Sequence, residues 1–303
     1  MYIDGILCLS LIVFALGSLF QANKAQLIEM LSEDFLPVNL EYPGLRVLSI
    51  DPFVATIEGF LSPADCDALI AAAQDSGKMT PSRAAGDKDQ TIRTSTSLAV
   101  TTDTLQSDPA LAAHVSALLS RARTDLLTVD ATRWDDHTKG FRPPSAPGRL
   151  AFELPQVARY TQGQHFLAHE DAFPLDVASV KGYQRIGTLL VYLNDVGDQG
   201  GETCFEYLGP LAVTPKKGQA CLFFPSFSSG LNDPRTLHSA MDAVAEKWVS
   251  QTWVSCGVAP DQFQGAAAIG TGARSPELSF AKKKKAPKPS GGAGKKKRGG
   301  FGG

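Results

Sequence analysis

Five histidines occur in the 303 residues, and three of them, His165, His169 and His238, lie where short β-prone runs dominate the chain. His169-Glu170-Asp171 sets a histidine and a carboxylate two residues apart, and on an extended strand that spacing turns both side chains to one face. This is the geometry of two adjacent ligands of one metal. Octahedral iron(II) held by two histidines and one carboxylate keeps three positions open, and those positions are what 2-oxoglutarate and O₂ require. The third ligand must then fold back from a distant strand. His238 is the one histidine downstream, and it follows a polar loop at 225–236 that can bring it there. A His-x-Asp triplet also recurs by chance, and its alternative reading is a salt-bridged pair on a surface strand. His114 falls inside a helical stripe and His137 in a polar stretch near Trp134, so both read as ordinary surface or partly buried residues.

The elements that must carry these groups are legible from spacing. Ser62-Pro63-Ala64-Asp65 offers a capping serine, a first-turn proline and an early carboxylate, with Leu69, Ile70 and Ala73 continuing an apolar stripe. A second helix opens at Asp108-Pro109 and repeats Leu111, Val115, Leu118, Leu119, Ala122 and Leu126 at helical spacing. The proline-rich stretch between Gly140 and Gly148 fits only a surface loop. Beyond it, runs at 154–160, 165–171, 186–193, 211–214, 220–224 and 247–254 are β-prone and are broken by Gly, Pro, Asn and Asp. Many short strands buttressed by two helices make a mainly β, α+β fold of the sandwich or jelly-roll kind.

Composition narrows the functions available. At 43% apolar residues, one domain of roughly 200 residues with a full core fits the chain, with length left for tails. Nine of the 29 basic residues crowd into Lys282–Arg298, which leaves 20 against 31 acidic residues. An acidic body disfavours nucleic acid as the partner of the folded domain. Cys8, Cys66, Cys204, Cys221 and Cys256 are too scattered for a zinc ribbon or a disulfide scaffold. The uncharged run from Gly5 to Ala22 reads as a signal peptide or a short membrane anchor, although Asp4 stands where basic residues are expected. The expected organisation is residues 1–22 as signal or anchor, 23–46 as a linker, 47–260 as the catalytic domain and 261–303 as a disordered Gly/Lys-rich tail.

The His-x-Asp triplet does not stand alone. Ala158-Arg159-Tyr160-Thr161-Gln162-Gly163-Gln164 precedes it, Arg185-Ile186-Gly187-Thr188-Leu189-Leu190-Val191-Tyr192-Leu193-Asn194 follows, and Gly200-Gly201-Glu202-Thr203-Cys204-Phe205, Pro215-Lys216-Lys217-Gly218, His238 and Lys247-Trp248-Val249 come after in order. These blocks, with Phe60-Leu61-Ser62 and Arg93-Thr94-Ser95 upstream, resemble those of the prolyl 4-hydroxylase family over roughly Val47 to Val254. The resemblance implies a double-stranded β-helix and a dioxygenase that uses Fe(II) and 2-oxoglutarate with ascorbate as reductant. It implies His169, Asp171 and His238 as iron ligands, and Lys247 as the partner of the far 2-oxoglutarate carboxylate. Tyr160 and Thr188 would donate hydroxyls to that carboxylate, and Trp253 would form part of the wall. His165 reads as a supporting residue.

Between His238 and Lys247 this chain has neither the proline nor the glycine usual in the family and is one residue shorter, a change able to displace Lys247. The implied partners are a proline-containing polypeptide and O₂, with no nucleic acid at the folded domain and possible membrane anchoring through residues 5–22. The implied location is the secretory pathway, in the endoplasmic reticulum or Golgi. Alternatives are hydroxylation of another peptide side chain or of a free amino acid, or an inactive binding module of the same fold. Whether the loops at 77–91 and 174–184 close over a groove or a sealed pocket would separate the prolyl polypeptide from the enzymatic alternative.

Overall fold

The computed structural model describes residues 24–84, 90–135, 140–197 and 200–263, all within the first of two compact units, Met1–Gln264. The signal or anchor expected at 1–22 and the tail from 264 onward lie outside the described residues. Two antiparallel sheets face each other. The larger runs in the order β1 (Leu45–Ser49), β2 (Val54–Ile57), β11 (Ala220–Phe223), β8 (Tyr183–Tyr192), β13 (Lys247–Gly257), β6 (Gln156–Tyr160), β4 (Thr96–Ala99) and β3 (Thr80–Pro81), with β5 (Leu150–Phe152) also paired to β13. The smaller runs β10 (Ala212–Val213), β9 (Thr203–Phe205), β12 (His238–Ala240) and β7 (Phe166–His169). This is the double-stranded β-helix that the sequence blocks imply.

Period-two alternation explains why a sheet with no wet face is stable. On β8, Leu189 and Val191 face outward, while Leu190 and Tyr192 face the space between the sheets. The outer face is covered by α2 (Pro63–Asp75) and α4 (Pro109–Arg121). Ser62 caps α2 by accepting the Asp65 amide, Asp108 caps α4 by accepting the Leu111 amide, and each cap contributes about 1 kcal/mol. Leu111, Val115, Leu118 and Leu119 form the buried stripe of α4.

One boundary differs from expectation. Residues 24–34, read as part of a linker, form a helix, α1, with Leu27 and Leu31 buried in the outer core. Phe35 then stacks between Phe224 and Phe227, with centroids at 5.3 and 5.2 Å, and the Ser228 amide donates to the Asp34 carbonyl. This segment therefore belongs to the domain and buttresses the loop that leads to His238. At the other end the packed chain continues past residue 260, because Phe263 is buried beside Val258 and Gly230.

Candidate active site

The mouth between the sheets is built where β7 and β12 pair. His169 and His238 are cross-strand partners, and Asp171 lies just beyond the end of β7. Their nearest ligand atoms all fall within 4.8 Å of one another. His169 Nε2 is 3.6 Å from Asp171 Oδ1, and His238 Nε2 is 3.8 Å from Asp171 Oδ2. Each ring is fixed from behind: His169 Nδ1–H donates to the Leu167 carbonyl at 2.8 Å, and His238 Nδ1–H to the Thr236 carbonyl at 3.0 Å. That tautomer frees both Nε2 lone pairs toward the carboxylate. Phe166 stacks on His169 at 3.4 Å, and Phe223 meets His238 at 4.7 Å, so neither ring can swing away.

Electrostatics suit the same purpose. Burial, reinforced by the charge of His238, holds the His169 imidazole well below its ordinary value and so keeps it neutral. For Asp171, burial pushes upward, but His238, His169, Arg185 and the Thr188 hydroxyl outweigh it and keep the carboxylate ionised. Two imidazole nitrogens and one carboxylate are the donor set of a divalent transition metal. His169 Nε2 is buried with no hydrogen-bond partner, an atom that a metal would satisfy. The residues present fit iron(II).

Behind the three groups a narrow cleft runs between the sheets, walled by Phe166, Leu190 and Val249 and closed by Tyr160, Thr203 and Lys247. Lys247 is 2% exposed, and burial drops its pKa from 10.5 to about 8. Its Nζ donates to the Gly201 carbonyl at 2.5 Å and stands 5.3 and 5.8 Å from the rings of Tyr160 and Tyr192. Among the described residues no carboxylate lies within ion-pair distance of it. A buried ammonium whose nearest carboxylate, Glu202, acts only at longer range is costly unless a ligand supplies a direct partner.

The short turn before Lys247 does not displace it. The Met241 amide donates to the Glu202 carbonyl, the Gly201 amide to Asp242, and the Ala243 amide to Gln164, so backbone bonds take the place of a proline. Lys247 stays in register with Tyr160. Gly200 and Gly201 are required there, both at positive φ, since a Cβ on Gly200 would sit 2.6 Å from Val244 and one on Gly201 3.3 Å from the Lys247 stem.

Two expected cleft residues are placed elsewhere. Thr188 stands opposite Trp253, six residues along β13 from Lys247, or about 20 Å of extended strand. Its hydroxyl donates to Asp171 Oδ2 at 2.8 Å, at the opposite end of the cleft from Lys247. Trp253 lines the outer groove instead of the cleft, with Arg185 stacked 3.7 Å above its ring. The hydroxyl that does reach the cleft floor is Thr203, bonded to the Tyr192 hydroxyl at 2.8 Å. The signal for it was its place directly after Gly200-Gly201-Glu202. His165 supports the arm and turn around it, through Asp242 at 2.9 Å and the Thr91 carbonyl at 3.3 Å. His114 pairs with Asp65 far from the cleft, and His137 lies outside the described residues.

The outer groove is an open trough of about 950 Å³ that exposes the His169 and Asp171 end of the cleft. Arg93, Arg185, Glu153, Gln156 and Trp253 are among its walls. Arg185 and Glu153 neutralise each other through two bonds of 2.7 Å, while the buried Trp253 Nε1–H has no partner.

A family model described as the 2OG-Fe(II) oxygenase superfamily matches residues 155–255, the stretch that carries both ends of the cleft. Probable prolyl 4-hydroxylase 6 of Arabidopsis thaliana is 32% identical over 231 residues, covering 68% of this chain and 70% of that protein. Prolyl 4-hydroxylase 1 of the same plant is 35% identical over 115 residues, which span 34% of this chain and 40% of that protein. Among solved structures, the viral collagen prolyl hydroxylase of Paramecium bursaria Chlorella virus-1, in complex with 2OG, aligns at 24% identity over 68% of this chain and 96% of that one, with a TM-score of 0.48.

Proposed function

Because this chain belongs to the prolyl 4-hydroxylase family, we propose that it is the Fe(II) and 2-oxoglutarate-dependent dioxygenase that hydroxylates prolyl residues of a polypeptide, with His169, Asp171 and His238 as the metal ligands. One observation carries the assignment of roles: a two-histidine, one-carboxylate cluster opens onto a cleft whose far end holds a buried lysine with no carboxylate in ion-pair contact among the described residues. A dicarboxylate with a keto acid at one end matches both ends at once.

The chemistry that iron supplies here is the coupled oxidation in which 2-oxoglutarate and O₂ become succinate and CO₂ while one oxygen atom enters a substrate C–H bond. The chain does the rest. Lys247 binds the distal carboxylate, Tyr160 and Thr203 bring hydroxyls to the same floor, and Leu190, Val249 and Phe166 exclude water from between. The Leu167 and Thr236 carbonyls hold the imidazole protons away from the metal face.

An open trough suits an extended, proline-rich segment, whose stiffness lowers the entropy lost on binding. The same openness disfavours a free amino acid, and a buried, in-register Lys247 disfavours an inactive binding module. Ascorbate fits as the reductant that returns oxidised iron to the ferrous state. The uncharged apolar run at 6–14 supports a destination in the secretory pathway.

The test is succinate release with Fe(II), 2-oxoglutarate, O₂ and a proline-rich peptide, together with peptide mass. Peptide-stimulated succinate and a gain of one oxygen on proline, both lost in His238→Ala, are expected. Oxygen found on another side chain would retain the dioxygenase and reject the prolyl substrate.

A further inference from the structure

Each of the three metal-directed side chains uses one polar atom to anchor itself and one to point. For His169 and His238 the anchor is a main-chain carbonyl on the ring's Nδ1 side. Asp171 differs, because it lies past the end of β7 in a bend and has no ladder of its own. Its anchor is the Thr188 hydroxyl, 2.8 Å from Oδ2. Thr188 is 2% exposed and sits on the central strand β8, paired on one side with Phe223 and on the other with Trp253. A rigid strand thus reaches across to hold a carboxylate whose own backbone is not in a strand. Oδ1, 3.6 Å from His169 Nε2, receives no protein hydrogen bond among the described residues.

We propose that Thr188 is a positioning residue for the metal site: its hydroxyl holds Asp171 by Oδ2 so that the carboxylate presents Oδ1 to the metal as a one-oxygen ligand. The inference rests on the assignment of His169, Asp171 and His238 as ligands. It adds that the carboxylate is oriented by a side chain whose removal leaves all three ligands in place. One-oxygen ligation matters because a carboxylate that turned to chelate through both oxygens would occupy a position that 2-oxoglutarate or O₂ needs. A hydroxyl is suited to the task, since it donates to Oδ2 without adding charge beside the metal.

Thr188→Val keeps the branched shape and removes the donor, while Thr188→Ser keeps the donor and removes the methyl. Mn(II) alone is titrated into the full chain and free Mn(II) is followed by paramagnetic resonance, with metal-free thermal unfolding measured alongside. Thr188→Val should bind Mn(II) about 10–100-fold more weakly than wild type, the usual effect of losing an outer partner of a metal ligand. Thr188→Ser should bind as wild type does. Thr188→Ala, a second variant without the hydroxyl, should match Thr188→Val, which separates the missing donor from misplaced methyl groups. Equal Mn(II) affinity in wild type and Thr188→Val would overturn the proposal. So would a loss of 2-oxoglutarate affinity at unchanged Mn(II) affinity, which would return the hydroxyl to the cosubstrate. If wild type itself bound no Mn(II), the ligand assignment would fall and the proposal with it, whereas binding by wild type and Thr188→Val alike would remove only the role of Thr188.

Discussion

The two ends of the cleft are buried to similar degrees and solve opposite problems. At the metal end the protein already meets the buried Asp171 carboxylate with the Arg185 guanidinium, the Thr188 hydroxyl and the two imidazoles beside it, and the residual need is a partner for His169 Nε2. At the far end, among the described residues, Lys247 touches the Gly201 carbonyl and two aromatic faces, and Glu202 acts on it only from beyond ion-pair distance. One end is therefore a finished receptor for a cation and the other an unfinished one for an anion. The difference indicates that the metal end can assemble without cosubstrate, while the lysine end reaches its most favourable state only when a carboxylate arrives.

Breaking the metal end should have the largest effect. In His238→Ala only one imidazole and one carboxylate remain, and the loss should take Mn(II) binding and succinate release below detection. Mn(II) titration beside a turnover assay checks this. Retained affinity would place the metal elsewhere.

Breaking the anion end should be graded. Lys247→Met keeps the stem and removes the charge, and loss of one member of a buried charge pair costs about 2–5 kcal/mol, or roughly 1.5 to 3.5 orders of magnitude in KM for 2-oxoglutarate. Mn(II) affinity should not move. The same lysine gives a pH signature. Its folded value, about 8, lies below the unfolded 10.5, so between these limits the unfolded chain binds the extra proton and the cosubstrate-free protein gains stability as pH rises. Binding of 2-oxoglutarate has the opposite sign. It requires the ammonium, so the wild-type dissociation constant should climb about tenfold per pH unit above about 8, a slope that Lys247→Met should lack.

The turn that aims this lysine is a subtler place to cut. Gly200→Ala forces a side chain into a left-handed residue and toward Val244, at a cost of about 1–2 kcal/mol for the backbone alone. The strain falls on the turn that carries the Gly201 carbonyl, so KM for 2-oxoglutarate should rise roughly tenfold while Mn(II) binding stays unchanged. If Mn(II) affinity fell as well, the two ends would not be separable.

How far these ends could be read from sequence follows from what sequence spacing encodes. Parity along a strand says which residues share a face, so Lys247 with Val249 was legible, whereas His169 and Asp171, expected on one strand, converge although the strand ends at His169 and Asp171 lies in a bend. Parity does not say how deep on that face a residue lies. Thr188 and Tyr192 share the inward face of β8, yet only the cross-strand register with Trp253 and Val249 shows that one is at the mouth and the other deep. Thr188 was expected in the cleft from the family resemblance, and nothing in the sequence spacing could set its depth against that of Thr203. The helix at 24–34 was missed for a different reason: Leu27 and Leu31 are few, and their burial depends on the aromatic group Phe35, Phe224 and Phe227, which joins segments about 190 residues apart. The short turn before Lys247 looked deficient because its backbone bonds to Glu202 and Gln164 leave no trace in composition.

Thr203 provides the finest test of the division. Its hydroxyl bonds to Tyr192 at the cleft floor, beside the lysine, and is uncharged, so Thr203→Val should weaken 2-oxoglutarate only by the value of one neutral hydrogen bond. That is about 0.5–1.5 kcal/mol, or roughly two- to tenfold in KM. Mn(II) affinity should remain that of wild type, the reverse of the pattern expected for Thr188→Val. The two threonines share a chemistry and differ in depth. Exchanged phenotypes would overturn the assignment of the metal to the His169 end and of the distal carboxylate to the Lys247 end.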